Sequence, residues 1–155
     1  MSGEVILREV LDSDLPTIFE DQRDPEAVRM AAFPPRDEGA FYEHWAIIRT
    51  EEDTLIRTIE FDGRVAGYVS SFERNGERLV GYWISKSFWG KGVATCALAA
   101  FLKHDMLRPL FARVVPHNVG SIRVLEKCGF VEVGRGRGAA PTGGEEEEEI
   151  IYRMG

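Results

Sequence analysis

The chain has 155 residues, 44% hydrophobic and 10% aromatic, which is enough apolar material for one packed core and argues against disorder. A formal net charge of −7 works against nucleic-acid binding, which rests on neutralising phosphates with Lys and Arg; it suits a cationic partner, although acidity alone is mostly a matter of solubility. Two cysteines, Cys96 and Cys128, cannot build a disulfide framework, and both fall in helical patterns, so reduced and buried thiols are expected.

The chain opens on Glu4-Val5-Ile6-Leu7, without the basic stretch and apolar core of a secretory leader. No apolar run approaches the ~20 residues that span a bilayer, so a soluble, cytoplasmic protein is expected. Residues 4–10 read as a short strand that ends at Asp12-Ser13-Asp14, a start signal for a helix over 13–22. Pro16 fits its first turn, where a missing N–H is tolerated. A loop with Pro34-Pro35 leads to a second helix over about 37–50, where Phe41, Trp45 and Ile48 recur at helical spacing. Strand-like segments follow at 54–61, 64–73 and 78–85. Asp62-Gly63 and Asn75-Gly76 separate them, and both dipeptides favour the positive φ of tight hairpins, so an antiparallel meander is expected.

From Gly90 the period changes, and Val93, Ala97, Leu98, Phe101 and Leu102 mark the apolar face of a helix ending before Pro109. A strand at 110–115, a helix at 118–128 and a strand at 129–134 come next. Residues 135–144, rich in glycine, read as an exposed loop, and the acidic run Glu145 to Glu149 leads into a last strand over 146–153. With no repeat and no linker, residues 1–155 read as a single mixed α+β domain with a largely antiparallel sheet.

The chemistry concentrates in Tyr82-Trp83-Ile84-Ser85-Lys86-Ser87-Phe88-Trp89-Gly90-Lys91-Gly92-Val93-Ala94-Thr95. A strand ends, a short loop carries two glycines, and an apolar helix begins. Glycines admit an anion close to backbone N–H groups, and a helix start supplies unpaired donors and a favourable dipole, a seat for phosphate or pyrophosphate. The same residues also suit a plain tight connection. A Walker loop is excluded, because Lys91 is followed by Gly92 and not by Ser or Thr. A dinucleotide fingerprint is excluded as well: Thr95 stands where a third glycine belongs, and the next strand, Leu110 to Val115, carries no acid. A second segment, Asn118 to Phe130, reads as a helix with Asn118 as N-cap and Gly129 at its C-terminal end.

Together, Trp89-Gly90-Lys91-Gly92-Val93-Ala94 and Asn118-Val119-Gly120-Ser121 through Glu126-Lys127-Cys128-Gly129-Phe130 resemble the GNAT superfamily of acyl-CoA-dependent N-acetyltransferases. They are most similar to its ribosomal-protein N-terminal acetyltransferase-like branch, and the element order matches over roughly residues 4–154. The resemblance implies a GNAT-type fold, a twisted and mostly antiparallel mixed sheet flanked by helices, splayed where strands 78–85 and 110–115 part. It implies acetyl-CoA as co-substrate, with pyrophosphate contacts at Gly90, Lys91, Gly92, Val93, Ala94 and Thr95. Ile84 matches the strand-end residue whose backbone pairs with the pantetheine arm, and an N–H near Trp83 or Ile84 would polarise the thioester carbonyl. Trp89 stands where the general pattern has Gln or Arg, a departure common in this branch. Asn118 matches a side chain that touches the CoA arm, a role compatible with capping.

Many superfamily members protonate the leaving thiolate from a Tyr seven residues after the Asn; here that place is Leu125. Ser121 matches the serine of the branch motif, for which a thiolate-stabilising role is proposed, while a first-turn serine can equally bond only to backbone. As acceptors of the ammonium proton, His44, Glu60, Glu73, His117 and Glu148 are all conceivable, and no spacing selects one. The expected reaction is direct attack by a primary amine, of a protein N-terminus or a small molecule such as an aminoglycoside, polyamine or amino acid. The rival from another class is a CoA-binding sensor without turnover. No metal, nucleic acid or membrane partner is expected, and a homodimer is left open. The run Glu145 to Glu149 either steers a cationic acceptor or is a solvated edge.

Overall fold

A computed structural model describes residues 4–31, 36–139 and 146–155. Strand β1 (Val5–Arg8) pairs antiparallel with β2 (Leu55–Phe61), which continues through β3 (Arg64–Arg74) into β4 (Glu77–Ile84). The two hairpin turns take the conformations that their residues favour, with φ of 52° and 76° at Asp62-Gly63 and 53° and 80° at Asn75-Gly76. Beyond β4 the sheet continues with β5 (Leu110–Val114), then β7 (Glu146–Met154), with β6 (Val131–Ala139) on the outer edge. Helices α1 (Leu15–Asp21), α2 (Pro25–Ala31) and α3 (Glu38–Ile48) fall between β1 and β2; α4 (Val93–His104) and α5 (Val119–Lys127) flank β5. This is the expected GNAT architecture.

Apolar residues on the two faces of the sheet build two cores. Phe88, Val93, Leu98, Phe101, Leu110, Leu125 and Tyr152 gather on the side of α4 and α5, while Ile18, Phe41, Trp45 and Ile56 gather under α1 and α3. Strands β4 and β5 run parallel, but pair only at Arg78↔Leu110 and Leu79↔Phe111. A buried cluster ties that shared end: Arg78 lies 3.2 Å from Asp105, which also accepts from Ser71. From Val80 onwards no strand among the described residues pairs with this edge of β4, so the sheet opens where the sequence resemblance placed a gap.

Three expectations need correction. Helix α2 lies in the segment read as loop; Asp24 caps it by accepting from the Ala27 N–H at 2.9 Å, with Pro25 in its first turn, a combination that starts helices. Pro34-Pro35 lie outside the described residues. Residues 135–139 are not loop but the continuation of β6, where Gly136 and Gly138 alternate with Arg135 and Arg137 opposite β7; residues 140–144 lie outside the described residues. Cys96 is exposed rather than buried, because the inward face of α4 is formed by Val93, Ala97, Leu98, Phe101 and Leu102. Cys128, half-buried at the end of α5, approaches the Thr95 carbonyl at 3.6 Å, and burial pushes its thiol up.

Candidate active site

The strand-to-helix connection after β4 is a 3-10 turn, Lys86–Phe88, followed by Gly90 and Gly92, both at φ 76°. Gly92 is the N-cap of α4 and supplies no side chain to the cap. The first helical bond runs from Cys96 N–H to the Gly92 carbonyl at 3.1 Å, so the N–H groups of Val93, Ala94 and Thr95 precede the ladder and are turned outward. A Cβ built on Gly90 or Gly92 would meet nothing within 4 Å. Left-handed backbone, open space and an uncapped helix start make a fitting seat for a pyrophosphate.

This loop borders a cavity of about 460 Å³ between β4, α4 and α5. Ile84, Gly90, Gly92, Val93, Ala94, Thr95, Asn118 and Ser121 all line it; Lys91 lies in the same loop with its side chain in solvent. Arg123 and Lys127, four residues apart on α5, line it too and were missed, although their spacing on one helix face was legible. Ala27 and Met30 add an apolar wall from α2. That helix is held beside the cavity by Lys86, which pairs with Glu26 at 2.9 Å, and by the His117 ring, which meets the Arg29 carbonyl at 2.8 Å, while Ser85 donates to Asp21 at the end of α1.

Along the parted edge of β4, backbone direction follows from the ladder. Ser85 N–H donates to the Ala66 carbonyl in β3 at 2.8 Å, so by alternation Ile84 and Tyr82 turn their N–H and C=O groups toward the gap, and Trp83 turns its own toward β3. The Ile84 carbonyl already accepts from the Trp89 indole at 2.8 Å, and the N–H groups of Ile84 and Tyr82 face the gap as donors. Gly67, opposite Ile84, is required there, since a Cβ would fall 1.8 Å from the Trp83 carbonyl oxygen.

A second cavity of about 390 Å³ adjoins the first, and Tyr82, Trp83, Asn118 and Ser121 line both. Its other walls carry Gln22, Trp45 and Tyr68, the guanidinium residues Arg36, Arg74 and Arg113, and the acids Glu51, Glu73 and Glu149. Burial pushes the Tyr68 hydroxyl up to about 12, against a hydrogen bond from Gln22. His44 also lines it; burial first, and then Arg36, lower its pKa below the ordinary 6.5, so the imidazole is neutral at pH 7. Of the other conceivable proton acceptors only Glu73 faces this cavity. Glu60 is paired with Arg8, Glu148 lies 3.2 Å from Arg135, and His117 belongs to the α2 contact.

At the junction, Asn118 accepts from the Ser121 N–H at 3.2 Å, so the capping role is real. The Ser121 hydroxyl does not turn back to its own helix. Its Oγ lies 2.6 Å from the Tyr82 hydroxyl, a contact across 39 positions of sequence that no local pattern announces.

The arrangement has counterparts. The model of the acetyltransferase (GNAT) domain family matches residues 4–131. The Probable N-acetyltransferase YjcK of Bacillus subtilis (strain 168) is 30% identical over 130 residues, 81% of this chain and 68% of the relative. Two solved structures share the fold. The spermidine N-acetyltransferase of Vibrio cholerae, with CoA and spermine, superimposes at a TM-score of 0.81 and 19% identity, covering 97% of this chain and 94% of that one. RimL, a ribosomal L7/L12 α-N-protein acetyltransferase with coenzyme A, superimposes at 0.79 and 19%, covering 97% and 93%. The chain therefore belongs to the GNAT acetyltransferase family, and acetyl-CoA is the co-substrate that this membership implies.

Proposed function

We propose that this chain acetylates the α-amine of a peptide or protein N-terminus by direct attack on acetyl-CoA, with both substrates bound at once. The observation that carries the reading is the meeting of two cavities at Tyr82, Trp83, Asn118 and Ser121, one bordered by an anion seat and the other by mixed polar groups. The acceptor cavity holds guanidinium groups as well as carboxylates, a poor lining for a polycation and a better one for a peptide, which offers carbonyls beside its amine. The small-molecule amine remains the second reading, since the spermidine enzyme shares the fold. In either case the chain acts in the cytoplasm, and among the described residues no helix is long and apolar enough to cross a membrane.

In this reading Gly90 to Thr95 hold the pyrophosphate through backbone N–H groups, with Arg123 and Lys127 adding charge and Asn118 touching the arm. The Ile84 N–H receives the charge that develops on the thioester oxygen. His44 takes the proton that the ammonium must lose before it attacks, because it is neutral and lines the acceptor side. Ser121 donates to the departing sulfur. The test is thiol release from acetyl-CoA against N-terminal peptides and a panel of small amines, with Ser121→Ala alongside. Peptide-dependent release that falls on the order of 10²-fold in the variant, with acetyl-CoA affinity held, is expected. Binding without release for any amine would make the chain a sensor.

A further inference from the structure

Ser121 stands where donor and acceptor meet, yet a lone serine hydroxyl has one proton and no reason to aim it at sulfur. Its partner decides the direction. Tyr82 projects from the parted edge of β4 toward α5, and its hydroxyl lies 2.6 Å from Ser121 Oγ and 3.3 Å from the Ser121 carbonyl. Two arrangements of protons satisfy this pair. In one, Ser121 donates to Tyr82 and presents only lone pairs to the cleft, which would repel a thiolate. In the other, Tyr82 donates to Ser121 and leaves the serine proton free to point into the cleft. Negative charge growing on sulfur favours the second.

We propose that Tyr82 is a positioning residue for the acyl transfer: it donates to Ser121 Oγ and thereby commits the Ser121 hydroxyl proton to the leaving sulfur. The inference rests on the proposed role of Ser121 in this same site. Burial pushes the Tyr82 hydroxyl up to about 12, against the Ser121 hydrogen bond, so it keeps its proton at working pH and acts as a donor, not as an acid. The protons then balance within the site. As the C–N bond forms and the C–S bond breaks, the attacking nitrogen carries one proton too many and the sulfur one too few. Ser121 Oγ accepts from nitrogen as its own proton passes to sulfur, and Tyr82 ends as it began. No separate acid is required at Leu125, which is buried in the core.

The experiment is a double-mutant cycle on the full chain: Tyr82→Phe, Ser121→Ala and the pair, each with kcat normalised to the fraction that binds acetyl-CoA, so that a loss of folded protein does not count. The phenylalanine keeps the ring and removes only the hydroxyl. Tyr82→Phe is expected to lower kcat about tenfold, the scale of one hydrogen bond in the transition state, with both KM values within about twofold. Added to Ser121→Ala, it should lower kcat no further. Full kcat in Tyr82→Phe would overturn the proposal, and so would an equal further loss in the Ser121→Ala background, because Tyr82 would then act independently of the serine. An undiminished Ser121→Ala enzyme would instead show that the serine reading had failed, and the proposal with it; that outcome is read from the single variant alone.

Discussion

His44 shows how burial sets a charge state. Removing the imidazolium from water is the larger cause of its lowered pKa, and the nearby Arg36 cation adds to it. In the unfolded chain the ring titrates near 6.5; in the folded chain it titrates lower. Between those values the unfolded state binds the proton first, so this contribution to stability is complete above 6.5 and is lost as pH falls toward the folded value. Wild type should therefore melt at lower temperature at pH 5.5 than at pH 7.5, and His44→Gln should narrow the difference. If the same ring accepts the substrate proton, His44→Gln should also remove the acidic limb of kcat/KM. A limb that persists in the variant would pass the role to another group, with Glu73 next in line.

Among the elements, the β4-to-α4 connection carries most of the site, and two glycines control it for different reasons. Gly92 is strained for any other residue by its φ of 76° alone, since its surroundings are open. Gly92→Val should lower the stability of the ligand-free protein modestly, yet remove most of the stabilisation by acetyl-CoA, about 2.7 kcal/mol at a hundredfold excess over Kd. A thermal shift that survives would move the phosphate seat elsewhere. Gly67 is constrained by contact instead. Gly67→Ala drives a methyl into the Trp83 carbonyl and should cost about 3 kcal/mol in denaturant unfolding, toward the upper end for an inserted methylene. It should also lower kcat, because β4 is displaced where Ile84 presents its N–H.

The elements also show which features a sequence carries on its surface. Both hairpins were legible because Asp62-Gly63 and Asn75-Gly76 favour one backbone conformation locally, and the strand-to-helix loop at Gly90 and Gly92 was legible from its glycines, whereas its proposed pyrophosphate role came from the family resemblance. Helix α2 was signalled by Asp24-Pro25 but outweighed by Pro34-Pro35. The outer half of β6 was hidden, since glycine disfavours strands and Gly136 and Gly138 are held there by pairing with β7, a tertiary effect. The gap was legible only through resemblance, because the parting of β4 from β5 is a property of the whole sheet. The Tyr82–Ser121 contact left no trace, since neither residue alone announces the other.

On the scale of the molecule, net charge says less than placement. Arg135 approaches Glu148 at 3.2 Å, and Arg113 approaches Glu149 at 3.4 Å, so these two members of the acidic run are matched by neighbouring strands. Glu145 and the side chains of Glu146 and Glu147 lie outside the described residues. Strand β7 lies between β5 and β6, so these are not charges on a free sheet edge but paired charges near the surface, which steer weakly and are screened further by salt. Glu148→Gln should leave the salt slope of kcat/KM for a cationic acceptor unchanged; a clear flattening would restore the steering role.

The adjoining cavities also define what would block them best. In the proposed reading acyl donor and amine each have a space of their own, and among the described residues Tyr82, Trp83, Asn118 and Ser121 border both. A single compound in which coenzyme A is tethered through an acetyl bridge to the acceptor would fill both spaces, and its second half would bind at the effective concentration set by that short tether. Such a conjugate should hold the protein about 10²–10⁴ times more tightly than either half alone. Built on different amines, a series of these conjugates would rank the acceptors by affinity without any need for turnover.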